Sequence, residues 1–322
     1  MACEAGEPES LVRLERLSFI PSADHSLAPR PTGLADDWGL SKAILIGRFE
    51  VTRGEFLAHL ERRREQPQVP MGPWSVHHYQ WESEDLALPA ELTYQEAKAY
   101  SESLGMRLPS AREWLHVAMG RTGQWYPWGG RDQDSVCNTQ EIGIGGPTLV
   151  GTFASGRSPL FDCYDLLGNL AEWTSSYVRG YMDSDFVMQW MSAPGDEEEW
   201  TPPRLVSVMG GSYSSKRLEL YKWDVENRVR FNSRTVDIES VVPEVGMRLC
   251  ADAEEYLWKH ANSWGETQAE RLRVQRVGRR WASDRYAREQ LIAMLERLLQ
   301  REGAPEALGW LAEGVRESMI GG

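Results

Sequence analysis

The sequence predicts an α+β domain with little regular secondary structure, followed by a helical C-terminal extension. Three observations predict it. First, the 322 residues include 14 Trp, 11 Tyr and 7 Phe, and many Trp and Tyr side chains suit a loop-rich fold held together by side-chain contacts. Second, short strand and helix patterns occur singly before residue 120, and residues 120–169 are mostly turn formers. Third, apolar residues beyond 255 follow helical periodicity.

Three helices in the first part of the chain are predicted by their start signals. Each begins at a Ser or Thr that is followed three residues later by Glu, the pattern of a capping box. The pairs are Thr52–Glu55, Thr93–Glu96 and Ser110–Glu113. Strands are predicted at 17–21, as an edge strand because Pro is tolerated at strand ends, and at 43–51 and 206–213.

The helical pattern predicts two units, a domain over residues 1–254 and an extension over 255–322. The domain has an irregular N-terminal lead-in and an acidic insertion at about 183–202, and we expect it to fold without the extension. Apolar stripes in the extension must be buried on the domain or on a partner. We expect a partner contact there, through Trp281, Leu291, Leu295, Leu298, Trp310 and Leu311.

The net charge of −13 lies almost entirely in residues 1–254. It argues against nucleic acid or an anionic membrane as partner and predicts a protein partner with a basic surface. Four cysteines without a CxxC pair indicate reduced thiols and no zinc site. The absence of a secretory signal and of a membrane-spanning stretch predicts a cytoplasmic protein.

Seven sequence blocks occur in a fixed order between residues 43 and 252. They are 49–56 (FEVTRGEF), 93–100 (TYQEAKAY), 107–114 (RLPSAREW), 126–129 (YPWG), 164–174 (YDLLGNLAEWT), 210–213 (GGSY) and 246–248 (GMR). Together they resemble the formylglycine-generating enzyme / sulfatase-modifying factor family. The resemblance implies a single compact domain with a C-type lectin-like fold and few regular elements.

The resemblance also implies a chemistry that this sequence cannot perform in the family's way. The family's enzymes oxidise a cysteine of a target protein with O₂, using copper(I) held by two cysteines just after the GGSY block. The corresponding positions are Ser215 and Leu220, and neither supplies the soft thiolate that copper(I) prefers. We therefore expect no copper and no oxidase activity. The His pattern of the family's iron-dependent branch is absent, and the pair His77–His78 is interpreted as a solvated loop pair.

A structural calcium ion is the one metal that the resemblance still allows. Its ligands would be the Asp165 and Glu172 carboxylates and the Gly168 and Leu170 carbonyl groups, since hard oxygens suit Ca²⁺. The alternative is that the two carboxylates cap this turn by accepting backbone N–H groups. No other cofactor is expected.

The predicted function is a non-catalytic, protein-binding or regulatory subunit. The resemblance suggests an accessory role in a bacterial signalling or defence assembly, including CRISPR-linked ones. The family's substrate cleft would become a binding groove, with loop packing as the alternative role of its residues; these are Ser212, Ser215, Arg217, Tyr221 and Trp223. Two other functions stay open: a metal-dependent oxidoreductase acting on a thiol through a relocated site (Cys163, Cys250 or the histidine pair), and a small-ligand receptor.

Overall fold

The architecture comes from a computed structural model of the chain. It describes residues 9–23, 40–64, 81–120, 124, 126–178, 190–191, 204–216, 223–224, 228–229, 234–282 and 284–319. Eight α-helices lie in these residues: α1 Glu9–Glu15, α2 Arg53–Arg64, α3 Tyr94–Ser103, α4 Ala111–Met119, α5 Ala253–His260, α6 Gln268–Trp281, α7 Arg285–Leu299 and α8 Glu306–Glu317. No helix of the described chain is long and apolar enough to cross a membrane.

Ten short strands lie in the described residues as well. They are β1 Leu17–Ile20, β2 Ile44–Gly47, β3 Ala171–Val178, β4 Trp190–Met191, β5 Leu205–Met209, β6 Trp223–Asp224, β7 Arg228–Val229, β8 Arg234–Asp237, β9 Val245–Gly246 and β10 Cys250–Asp252. One sheet has the antiparallel order β1-β2-β10, so β1 is the edge strand that the sequence predicts. A second sheet has the order β4-β3-β5-β8, with β9 parallel to β3, and β6 pairs with β7.

The three predicted capping boxes are confirmed. The Thr93 hydroxyl accepts the Glu96 N–H while the Glu96 carboxylate accepts the Thr93 N–H at 2.9 Å, and Ser110 and Glu113 do the same for α4. At α2, the Glu55 carboxylate accepts the N–H of Thr52 at 2.8 Å. Each box satisfies two backbone donors that the first helical turn leaves free. These short helices are therefore started by local sequence.

Part of the N-terminal lead-in differs from the irregular segment that we predicted. Residues Glu9–Glu15 form α1 just before the predicted strand β1, and the side chains of Leu11 and Leu14 are completely buried. Their spacing of three residues places both on one face of α1, and that face belongs to the same hydrophobic cluster as the C-terminal helices. An isolated helix of this length would be marginal in water, so the packing stabilises it.

The expectation of a partner contact on the extension is wrong for the residues that we named. Trp281, Leu291, Leu295, Leu298, Trp310 and Leu311 are all buried within the chain, none more than 7% exposed. The indole N–H of Trp281 donates to the Leu17 carbonyl at 2.8 Å, which ties α6 to the edge strand. The apolar stripes therefore cover the domain and each other, the first of the two alternatives.

The extension and the domain also share one hydrophobic cluster. Trp173 from β3, Leu257 from α5 and Leu311 from α8 are members of it, and each is fully buried. Helices α6 and α8 come very close, since a Cβ at Gly278 would lie 2.4 Å from the Leu311 carbonyl oxygen. This continuity opposes our expectation that residues 1–254 fold alone, because removing the extension would expose much of the shared core.

Candidate functional site

The predicted groove begins at the turn that follows β5. Gly210 and Gly211 have φ angles of +89° and +68°, and a Cβ at Gly210 would lie 3.0 Å from the Leu166 carbonyl oxygen. Only glycine takes this conformation at low cost. The turn is also held from outside, because the Tyr213 N–H donates to the Asn169 carbonyl at 2.8 Å.

Three serines and one glutamate meet at this turn, and we call Ser212, Ser214, Ser215 and Glu244 the serine–glutamate cluster. The Ser212 hydroxyl donates to Glu244 Oε2 at 2.6 Å, and the Ser214 hydroxyl donates to the same oxygen. Ser215 Oγ accepts the Ser212 N–H at 3.0 Å. Glu244 itself has a φ of +67°, which is uncommon for a residue with a side chain. The surrounding fold therefore holds the carboxylate in a fixed place.

The cluster is negatively charged and partly open to solvent. Glu244 is half-buried and Ser214 is exposed. Burial, and then the charges of Glu244 and Glu91, raise the pKa of the neighbouring Tyr213 phenol above its ordinary value. The site consequently offers a carboxylate, hydroxyl groups and a neutral phenol, which suits hydrogen bonding to a cationic or polar group.

The donor set at Ser215 does not fit copper(I). Its hydroxyl is a hard oxygen that already accepts the Ser212 N–H, whereas copper(I) prefers thiolate or thioether sulfur. The second position, Leu220, lies outside the described residues. The groove residues Arg217 and Tyr221 also lie outside them, and of Trp223 only the backbone in β6 is described.

The described cysteines lie in the interior rather than in the groove. Cys137, Cys163 and Cys250 are buried free thiols. Burial raises the pKa of Cys163 to about 11 and, together with the charge of Glu113, raises the pKa of Cys250 well above its ordinary value. Both are thus protonated at neutral pH, and a protonated thiol is a poor nucleophile and metal ligand.

A buried ion pair occupies Glu172, one of the four residues that we predicted as calcium ligands. Both Glu172 oxygens accept N–H groups of Arg248, at 2.6 and 3.0 Å, and Oε2 also accepts the Trp114 indole N–H at 2.8 Å. Arg248 donates further to the Gly47 and Tyr164 carbonyls. The described chain has no group of three or more His, Cys, Asp or Glu arranged for a metal. Glu172 does not fit the predicted calcium site, because Arg248 already neutralises it.

Two more carboxylates lie beside this ion pair. Glu50 accepts the Leu170 N–H at 2.9 Å and the Asn169 amide at 2.6 Å, and Asp165 accepts the Gly151 N–H at 2.6 Å. Burial, followed by the charges of Asp165 and Glu172, raises the pKa of Glu50 well above its ordinary value. Burial also raises the pKa of Asp165 to about 6. The capping alternative is met only in part, because Asp165 accepts a backbone N–H from Gly151 in another segment and Glu172 accepts side-chain N–H groups.

Sequence reasoning missed Glu244 and Glu50 as organising residues. Glu50 stands in the FEV block, and its position next to a predicted strand end was the available signal. Glu244 had no comparable signal, since it precedes the GMR block in a segment without periodicity. Arg248 and the pair Arg107–Glu113 make structural contacts, the latter with N–O distances of 2.7 and 2.8 Å.

Comparison with known proteins identifies the family. The model of the FGE-sulfatase family, described as the sulfatase-modifying factor enzyme 1-like domain, matches residues 35–253. This match covers more than half of the chain. The chain belongs to the sulfatase-modifying factor enzyme 1-like family. The matched range includes all seven sequence blocks, so the resemblance drawn from them is confirmed.

The relatives in this family include proteins named as inactive and proteins named as enzymes. The chain is 36% identical to the mouse "Inactive C-alpha-formylglycine-generating enzyme 2" over 105 residues, which are 29% of this chain and 33% of that protein. It is 33% identical to the "Formylglycine-generating enzyme" of Mycobacterium tuberculosis over 96 residues, 27% of this chain and 32% of that protein. The chain thus spans about a third of the length of these relatives.

A solved structure supports the α+β architecture of the family. PvdO from Pseudomonas aeruginosa superposes with a TM-score of 0.50 at 19% identity, covering 73% of this chain and 94% of that one. At this identity the likeness concerns the fold alone. It agrees with a compact family domain to which the C-terminal helices are added.

Proposed function

We propose that the chain is a non-catalytic member of the family that binds another protein through the serine–glutamate cluster. The observation that carries the proposal is the hydroxyl of Ser215, which is engaged with the Ser212 N–H where the resemblance expects a copper-binding thiolate. The name of the inactive mouse relative supports the same conclusion. The name of the Mycobacterium relative is that of an active enzyme, so catalysis needs a direct test.

The partner in this proposal presents a basic surface. Two serine hydroxyls hold the Glu244 carboxylate at the turn, and Val241, three residues earlier, is 68% exposed. A carboxylate with an exposed apolar residue close to it in the chain suits a Lys or Arg side chain, whose aliphatic part can pack while its head forms a charged hydrogen bond. We also propose an accessory role in a bacterial signalling or defence assembly, on the resemblance alone.

Metal analysis of the full chain tests the absence of catalysis. We expect less than stoichiometric copper and iron after reconstitution, and no oxygen consumption with a thiol substrate. The double substitution Ser215→Cys and Leu220→Cys restores both thiolates and should raise copper binding, with Ser214→Cys and Leu220→Cys as the matched control. Stoichiometric copper or iron in the unaltered chain would overturn the proposal.

Capture experiments test the binding face. Glu244→Lys should abolish capture of the partner from the native host, and Glu302→Lys, at an exposed position between α7 and α8, should leave capture intact. Capture should weaken as salt rises, since exposed charges are screened within about 10 Å at 0.1 M salt. Equal capture by both variants would contradict a role for the cluster.

Two alternative functions remain distinguishable. A relocated oxidoreductase site would need a reactive thiol, and the buried, protonated states of Cys163 and Cys250 disfavour it. A small-ligand receptor would retain a compound in native mass spectrometry. Loss of that compound on Arg217 and Trp223 replacement would favour the receptor.

A further inference from the structure

A cavity lies between the domain and the C-terminal helices, on segments other than those of the serine–glutamate cluster. It has a volume of about 720 Å³, and it is lined by residues 41–43, the end of β10, α5 and α7. Ligand pockets of small molecules commonly have ~300–1,000 Å³. The cavity therefore has the size of a small-molecule site.

The cavity combines an apolar floor with an aromatic wall. Ala43, Ala293 and Met294 contribute apolar surface, and the indole of Trp258 stands beside them. The Arg301 guanidinium lies 5.4 Å from the Trp258 ring centroid, which fixes the indole by a cation–π contact. An apolar side chain of a ligand would find both contact area and a rigid wall here.

Charges of opposite sign line two sides of the cavity. The acidic side is the start of α5, with Glu254 and Glu255 in its first turn. The basic side is the end of α7, with Arg297 in its last turn and Arg301 just beyond. Glu254 joins the two sides, because it forms ion pairs with both arginines. Its carboxylate lies 3.4 Å from the Arg297 guanidinium.

Each side keeps unused hydrogen-bonding capacity. Glu254 shares its one charge between two guanidinium groups, and the exposed Glu255 has no ion-pair partner among the described residues. Lys42 adds an ammonium group, 3.5 Å from Asp252. Because three cations and three carboxylates line the cavity, a ligand of one sign gains little net attraction, and a ligand that carries both signs can satisfy both sides.

We propose that this cavity binds a small zwitterion with an apolar side chain, of the class of a free amino acid. Its carboxylate faces Arg297 and Arg301, its ammonium group faces Glu255, and its side chain packs on Met294 beside Trp258. The site lies outside the serine–glutamate cluster and does not depend on the function proposed for it.

Isothermal titration calorimetry on the full chain tests the proposal with three series of probes. The first is L-leucine, L-methionine, L-phenylalanine and L-tryptophan; the second is their N-acetyl forms, which lack the ammonium group; the third is their carboxamides, which lack the carboxylate. We expect saturable 1:1 binding of at least one free amino acid and binding at least ~10-fold weaker for both of its blocked forms. Absence of binding by all four, or equal binding of either blocked form, would overturn the proposal.

Substitutions assign the binding to this cavity. Ala293→Trp fills it from an exposed position on α7, and Arg297→Gln removes one charge, so each should weaken binding by ~10-fold or more. Arg285→Gln is the matched control, since Arg285 lies in the first turn of the same helix and pairs with Glu289 away from the cavity. Unchanged binding in Ala293→Trp, with an unaltered melting temperature, would place the ligand elsewhere and contradict the proposal.

Discussion

The carbonyl group of Gln275 on α6 lies directly against the backbone of Gly314 on α8. A Cβ atom at Gly314 would lie 2.1 Å from the Gln275 carbonyl oxygen, well inside van der Waals contact. Gly278 makes the corresponding approach from α6 to Leu311. The two helices are thus as close as their backbones permit, and the fit depends on the absence of side chains at these glycines.

Substitution of Gly314 by Ala should destabilise the protein. Forcing a methyl group into this contact costs about 1–3 kcal/mol of unfolding free energy, as overpacking generally does. Gly309→Ala is the matched control on the same helix, because nothing lies within 4 Å of the position that its Cβ would take, and Ala there should add up to about 1 kcal/mol through helix propensity. Urea denaturation measures the unfolding free energy of both variants. Equal midpoints for the two would contradict the close contact between Gly314 and Gln275.

Loss of one partner of the buried ion pair should lower the unfolding free energy more than Gly314→Ala does. Arg248 and Glu172 are 0% and 1% exposed, so Arg248→Met leaves an unneutralised carboxylate in the core at a cost of about 3–5 kcal/mol. The double substitution with Glu172→Gln should recover part of this loss. The exposed pair Arg285–Glu289 supplies the control, since Arg285→Gln should leave the denaturation midpoint unchanged.

The buried Asp165 should make stability fall as pH rises. Its pKa is about 6 in the fold against an ordinary 3.8, so the folded state binds a proton more tightly than the unfolded chain does. That stabilising contribution is complete below pH 3.8 and is lost as pH rises through 6. Asp165→Asn removes it, and the variant should gain about 3 kcal/mol relative to the unaltered protein between about pH 4 and pH 7.

The pKa of Asp237 is shifted in the opposite direction and offers a comparison. The Glu239 N–H lowers the pKa of this exposed carboxyl, with Arg204 acting in the same direction. Asp237→Asn should therefore lose stability relative to the unaltered protein as pH rises from the lowered pKa to the ordinary value of 3.8, and the difference should stay constant at higher pH. Denaturation at several pH values measures how the unfolding free energy of each variant depends on pH. Parallel curves of unfolding free energy against pH for Asp165→Asn and the unaltered protein would refute the raised pKa of Asp165.

The first helix should contribute to the same cooperative core as the extension. Leu11 on α1 is fully buried, so Leu11→Ala should cost about 2–5 kcal/mol. Leu272 on α6 is 47% exposed, and Leu272→Ala should cost much less. Removal of residues 255–322 should abolish cooperative melting and induce binding of a hydrophobic dye. A cooperative transition in the truncated chain would restore the two-unit division that the sequence predicts.

Local signals predicted more of this protein than patterns of burial did. The capping boxes at Thr93 and Ser110 specify helix starts through contacts three residues apart, and such contacts are legible in sequence. The apolar stripe of α7 was legible too, but its covering surface was not, because that surface includes residues from the opposite end of the chain. Glu244 illustrates the same limit, since its partners Ser212 and Ser214 are 32 and 30 residues away.

The hydrogen bond between Trp281 and Leu17 joins residues separated by 264 positions. During synthesis, β1 and the apolar face of α1 emerge long before the helix that covers them. Contacts of such long range close late and slow the folding of a chain. Nascent chains that end before α6 should consequently remain protease-sensitive at residues 9–20, and the last helices should act as the step that completes the domain on the ribosome.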